Sequence, residues 1–305
     1  MKRILALTLL LAGALAALEV GETGLSNMRI QASARSQGMG GISLGLADNP
    51  QAFFGNPAGL SIIEGPMISA NYLPYPAGIH VGSVSFQPST KEKLRFSASA
   101  FYLNSGQMTR TSPTNEDLGT FGYQVVNLGG TAAYQILEKL SVGGNVKIHL
   151  ALADSSMQIA AGADLGALYR DILPGLNAGL SVQNVAFEIK PFVEERSAMP
   201  VGIGGGVSYS GLKKLLIGLD VSKPLDAPLI VRGGLEFLPV EFLGLRAGYS
   251  TEGVAWKTGA TGTDILAGFS LGVGVRNLAG VSVDYAITPA LDLGLFHRIS
   301  LAYSF

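Results

Sequence analysis

Leu291-Asp292-Leu293-Gly294-Leu295-Phe296-His297-Arg298-Ile299-Ser300-Leu301-Ala302-Tyr303-Ser304-Phe305 closes the chain, and its reading decides the fold. Leu291, Leu293, Leu295, Ile299, Leu301, Tyr303 and Phe305 fall at two-residue steps against Asp292, Gly294, Arg298, Ser300, Ala302 and Ser304. Side chains of a strand point alternately to its two faces, so this stretch is a strand with one apolar face and one small or polar face. The same pattern recurs upstream: Ile265, Ala267, Phe269, Leu271, Val273 and Val275 alternate with Asp264, Gly268, Ser270, Gly272 and Gly274. Fourteen such runs lie near residues 66–73, 78–87, 93–102, 121–134, 139–150, 156–170, 175–184, 200–210, 213–222, 229–238, 241–250, 263–275, 278–287 and 292–305. An even number suits a single-chain barrel with both termini in the periplasm. The longest connections, 103–120, 185–199 and 251–262, follow odd-numbered strands, and those after even-numbered strands are tight. Long loops at one end and short turns at the other are the pattern of an outer-membrane barrel.

Composition separates this from a soluble β-sandwich, which also alternates. Charged residues are 14% of the 305, against roughly 25% in soluble domains. The polar faces hold mostly Gly, Ser, Ala and Asn, which suit a confined interior better than bulk water. A one-residue slip would turn Lys147, Asp164, Asp220, Arg232, Arg246, Asp264, Asp284 and Arg298 toward lipid, at roughly 2–4 kcal/mol for each Arg or Lys near the midplane. The apolar face is therefore the outer one. Tyr72, Tyr102, Tyr134, Tyr169, Tyr209, Tyr249, Tyr285 and Tyr303 fall on it near strand ends, where aromatic girdles sit. The expectation is an all-β, 14-stranded antiparallel transmembrane β-barrel over residues 66–305, integral to the bacterial outer membrane and in contact with its lipids.

The balance of 21 Lys plus Arg against 22 Asp plus Glu leaves no basic surface for nucleic acid. Zero cysteines exclude disulfide scaffolds, Cys-based zinc sites and thiol nucleophiles. Lys2 and Arg3, the apolar stretch from Ile4 to Leu18 and Ala14-Leu15-Ala16 have the layout of a secretory signal peptide, cut after Ala16. That stretch falls short of the ~20 residues a helical span needs.

Residues 17–65 are broken by glycines and prolines yet carry Ile42, Leu44, Leu46, Phe53, Phe54, Leu60, Ile62 and Ile63, which need burial. A fourteen-strand lumen is too wide for wall side chains alone to fill, so this segment is expected to be an N-terminal hatch or plug. Within it, Ala34-Arg35-Ser36-Gln37-Gly38-Met39-Gly40-Gly41 is followed by Ala47-Asp48 and by Asn56-Pro57-Ala58-Gly59-Leu60. This order and spacing resembles the amino-terminal signature of the PorV/PorQ family, related in fold to the long-chain fatty-acid transporters of the outer membrane. The resemblance covers about 27 residues and implies a fourteen-strand barrel acting, without catalysis, as a partner in protein secretion or surface attachment of type IX kind. Secretion components or exported cargo would then be partners, with 103–120, 185–199 and 251–262 as contact surfaces. The alternative is a transporter for small hydrophobic molecules such as fatty acids. The resemblance makes Gly38, Met39, Gly40, Gly41, Asp48, Asn56, Pro57, Ala58, Gly59 and Leu60 the hatch motif, with Asn56–Leu60 read first as a fixed turn into the first strand.

No catalytic set, metal-ligand spacing or cofactor motif stands out. The inward charges Arg95, Lys147, Asp164, Asp220, Arg232, Glu236, Arg246, Asp264, Asp284 and Arg298 balance in sign, which predicts mutual neutralisation in a lumen polar network rather than an ion-selective pore. His149 is expected to join that network. His297 falls on the lipid side, as a neutral imidazole shielded by a strand bend or a neighbouring subunit. Phe86, Phe101, Leu168, Leu216, Leu266 and Phe296 are the few large apolar residues expected to face inward. Ile299, Leu301, Tyr303 and Phe305 look like the carboxy-terminal signal read by the barrel-insertion machinery.

Overall fold

The computed structural model describes residues 23–48, 54–88, 93–256 and 266–305. Among them, fourteen antiparallel strands close into a barrel: β1 Met67–Pro74, β2 His80–Gln87, β3 Leu94–Thr111, β4 Asp117–Gln135, β5 Leu140–Ala153, β6 Ser156–Tyr169, β7 Leu176–Lys190, β8 Gly202–Leu212, β9 Leu215–Pro224, β10 Ile230–Val240, β11 Leu243–Ser250, β12 Phe269–Leu278, β13 Val281–Pro289 and β14 Leu295–Ser304. Each pairs with its neighbours in sequence, and β1 meets β14 from Met67↔Ser304 to Tyr72↔Ile299. Closure leaves no strand edge with unpaired backbone groups, which a hydrocarbon environment requires.

The alternation read in the sequence is the alternation of the wall. On β14, Leu295, Ile299, Leu301 and Tyr303 face out while Phe296, Arg298 and Ser300 are buried. Phe305 also lies on the outside. Exposed Val146, Leu165, Leu180, Leu219, Leu235 and Leu271 continue the apolar belt from strand to strand. So large a contiguous apolar surface is stable only against lipid, and the molecule is an integral outer-membrane barrel. Tyr134, Tyr169, Tyr209 and Tyr303 ring the end with short turns, and Tyr72 and Tyr102 stand toward the end with loops. His297 does sit on the outer face, and its partner is Tyr285, whose hydroxyl lies 2.6 Å from Nδ1. Tyr72 and His80 repeat the arrangement at 2.7 Å on β1 and β2.

Several expected boundaries are corrected. Of residues 103–120 only 112–116 form a loop: β3 extends to Thr111 and β4 begins at Asp117, with pairs from Gln107↔Gly122 to Thr111↔Asp117. This extension is exposed on both faces, so no apolar period marks it as strand. β7 runs to Lys190 because an extra residue at Gln183–Asn184 shifts the phase, and Val185, Phe187 and Ile189 then face out. β12 begins at Phe269 and β14 at Leu295, with a 3-10 turn at Leu291–Leu293 before the latter. Phe86 points outward, and Leu266 is exposed ahead of β12, whereas Phe101, Leu168 and Phe296 are buried and Leu216 packs inward as expected. The expected signal peptide and Asp264 lie outside the described residues.

The described residues 23–48 and 54–66 make contacts with the inner wall from its loop end to its turn end. Gly24 N–H donates to Ala198 O at the loop end, and Gln87 Nε2 donates to Ile63 O and Gly65 O at the turn end. Between them lie a short helix, α1 (Ala34–Gly38), capped by Ser33, and a 3-10 turn, Pro57–Ile62, capped by Asn56. Met39, Ile42 and Leu46 form an apolar cluster with Leu216 of the wall. A second cluster at the loop end joins Leu73, Val81, Phe101, Val125 and Phe296 to Ile30 and Phe54 of the segment. Gly40 needs its freedom from a side chain: its φ is 76°, and a Cβ would strike the carbonyl oxygens of Gly233 and Tyr249.

Candidate functional site

Charged and polar side chains of the inner wall fall into separate groups rather than one continuous network. In the first, Glu236 of β10 is fully buried and takes Arg35 of α1 at 2.9 Å, Arg246 at 2.7 Å and Arg276 at 3.2 Å. Arg246 also reaches Asp284 at 2.6 Å, and Arg35 reaches Asp48 at 2.5 Å. Three cations and three anions thus neutralise one another where segment meets wall, as buried charge requires. In the second, Asp220 of β9 accepts the backbone N–H groups of Ser43 at 2.6 Å, Leu44 at 2.9 Å and Gly45 at 3.5 Å. The segment forms no sheet there, so the carboxylate supplies the acceptor its donors would lack.

The third group is built on β5, β6 and β7. Lys147 Nζ lies 2.7 and 2.9 Å from the two Asp164 oxygens, and Asn145 donates to Asp164 at 2.8 Å. At the bulge, Asn184 donates its backbone N–H to Asp164 and accepts from Lys147 through Oδ1 at 2.5 Å. The adjacent Gln183 turns to donate to Phe54 O and Gly55 O of the segment. A bulge that sends two successive amides inward is a common way to re-aim side chains at a site. Beside this group, His149 is buried, with Nδ1–H donating to Asn127 Oδ1 at 2.6 Å.

Above the third group a cavity of about 500 Å³ opens between segment and wall. Its apolar sides include Met28, Leu44, Phe54, Phe101 and Ile203, and its polar sides Asn127, Lys147, Asp164, Gln183 and Asn184. Pro224, Ala227, Ile230 and Thr251 bound it toward the loop end. Its size is ordinary for a small-molecule pocket, where apolar walls with a few placed polar groups are the rule.

The hatch-motif residues are structural in their contacts. Asn56 is buried; its Oδ1 accepts from Ala58 N, and its Nδ2 donates to Leu44 O and Ala167 O. Pro57, Ala58, Gly59 and Leu60 are buried against the wall, where a Cβ on Gly143 would meet Pro57 and Ala58. Gly38 meets Gly272, Gly41 lies beside Arg232, and Met39 is enclosed. Two expected network members stand apart. Arg298 donates to Thr288 Oγ1 and lies over the Phe296 ring, and Arg95 Nη1 has no hydrogen-bond partner among the described residues. Arg232 pairs with Glu252 at 2.9 Å and donates to Ser222 Oγ at 2.8 Å. Sequence reasoning missed Arg35, Arg276, Glu252 and the Arg29–Asp226 pair. Arg35 carried a usable signal, a lone cation amid Ala, Ser and Gly in a segment that had to be buried. Among the described residues no three His, Asp or Glu side chains converge as a metal site.

No family model matches the chain, and no curated protein matches it. Solved structures do. The toluene transporter TbuX of Ralstonia pickettii is similar over 92% of this chain and all of its own, with a TM-score of 0.64 and 15% identity. The monoaromatic hydrocarbon channel CymD covers 90% of this chain and 97% of its own, at 0.66 and 15%. A FadL homologue of Pseudomonas aeruginosa covers 90% and 98%, at 0.58 and 13%. The chain shares the fold of these barrels. The likeness carries the coarser half of the resemblance read in the sequence, to the fatty-acid transporter fold, and not its PorV/PorQ half. It also overturns the expected role as a partner in secretion: the chain is similar over nine-tenths of its length to hydrocarbon transporters and channels. Of residues 103–120, one of the loops meant to hold cargo, all but 112–116 are strand.

Proposed function

We propose that the barrel admits small hydrophobic molecules across the outer membrane and holds them in the cavity between the N-terminal segment and β3–β10. The observation that carries this reading is the cavity itself, apolar on one side, furnished with fixed amides on the other and set toward the loop end. The named substrates of similar barrels, toluene and monoaromatic hydrocarbons, are of a size it would take. On this reading residues 17–65 are the hatch, the balanced inner charges hold it in place, and Ile299, Leu301, Tyr303 and Phe305 serve barrel insertion. The test is uptake of radiolabelled ethylbenzene by intact cells whose outer membrane lacks its own hydrocarbon transporter. Cells making this protein take it up several times faster than cells without it; equal rates overturn the proposal.

A further inference from the structure

Every cation lining the cavity is already matched. Lys147 is held by Asp164, Arg232 by Glu252 at 2.9 Å and Arg29 by Asp226. An incoming carboxylate would compete with a resident anion while losing its hydration, and a buried ion without its own counter-charge is strongly disfavoured. The amides differ. Asn127 Oδ1 is engaged by His149 and Asn184 Oδ1 by Lys147, while the two Nδ2 groups meet no acceptor among the described residues. Both residues line the cavity, across from Phe54 and Phe101, whose rings meet edge to face at 6.5 Å. A wall of this kind offers hydrogen-bond donors and apolar surface but no free charge.

Resting on the uptake reading above, we infer that the cavity selects uncharged hydrophobes that carry an oxygen acceptor, such as phenols, alcohols or ketones, and excludes fatty-acid carboxylates. The oxygen accepts from Nδ2 of Asn127 or of Asn184, and the hydrocarbon body lies against Phe54, Phe101 and Leu44. A pure hydrocarbon fits but leaves both donors unmet, which is the asymmetry by which sites built to hydrogen-bond reject analogues lacking the group.

The test is calorimetric titration of the purified full-length protein with para-ethylphenol, ethylbenzene and para-ethylbenzoate, corrected for partition into detergent. The phenol binds about tenfold more tightly than ethylbenzene, a difference of about 1.4 kcal/mol, and the benzoate binds least. Asn127→Leu with Asn184→Leu brings the phenol down to the level of ethylbenzene. Asp164→Asn, which frees Lys147, raises benzoate affinity about tenfold. If Asp164→Asn does not fold, the asparagine variants decide. Benzoate binding to the native protein as tightly as the phenol, or phenol and ethylbenzene binding alike, overturns this inference and leaves hydrocarbon uptake standing. Binding of none of the three removes the uptake reading itself.

Discussion

Asp220 and Glu236 do the same work by different chemistry. The first collects backbone donors of the segment, and the second collects guanidinium groups from segment and wall. Asp220→Ala strands buried N–H groups, each costing roughly 1–3 kcal/mol, so its thermal unfolding midpoint falls. Glu236→Gln leaves Arg35 and Arg246 without their shared counter-ion and destabilises by about 3–5 kcal/mol, read as a lower denaturant midpoint. Asp226, in the loop between β9 and β10, anchors the N-terminal segment at the loop end through Arg29 and Thr23 and makes that anchor pH-sensitive. Burial alone would raise its carboxyl, but hydrogen bonds from Arg29 and Thr23 and the Arg29 charge outweigh it and hold the group below its ordinary 3.8. A lowered folded-state value means the anchor is complete above pH 3.8 and is lost as the pH falls through that lower value. Hydrogen exchange of residues 23–30, corrected for its intrinsic pH dependence, stays slow until the pH is below 3.8 and then accelerates; Asp226→Asn exchanges fast throughout.

At the level of elements, legibility followed the environment on the two sides of each strand. Where lipid lies outside and the lumen inside, as on β5 and β14, period two was unmistakable. It vanished on the β3–β4 extension, which has water on both sides, and slipped at the β7 bulge, where one extra residue inverts the phase. The inner charges were legible as a balanced set, but not all of their partners: Lys147–Asp164 and Glu236–Arg246 join adjacent strands, whereas pairing with the N-terminal segment is long-range, Arg35 and Glu236 being 201 apart. The cavity was invisible for the same reason, being a gap between chain segments rather than a motif. Since the β3–β4 extension stands clear of the lumen contacts, replacing residues 108–121 with a two-residue Asn-Gly turn leaves barrel formation intact, checked by heat-dependent gel mobility. Gly40→Ala, by contrast, forces the segment off Gly233 and Tyr249 and lowers the unfolding midpoint, at a cost of roughly 1–3 kcal/mol for strained backbone alone.

For the whole molecule, the lipid belt and the polar lumen make opposite demands on the same strands. Val146 is 67% exposed on the outer face of β5, and its sequence neighbours Asn145 and Lys147 serve the lumen. Val146→Arg costs about 2–4 kcal/mol if it lies near the midplane, measurable by unfolding from lipid vesicles, and Val146→Leu is silent. The cavity has one further consequence. Because its boundary is drawn jointly by the threaded segment and the cylinder around it, any molecule lodged there adheres to both and resists their separation. Occupancy therefore registers as heat resistance, about 2.7 kcal/mol at a hundredfold excess over the dissociation constant, so a melting screen across candidate solutes can rank cargo without any assay of passage.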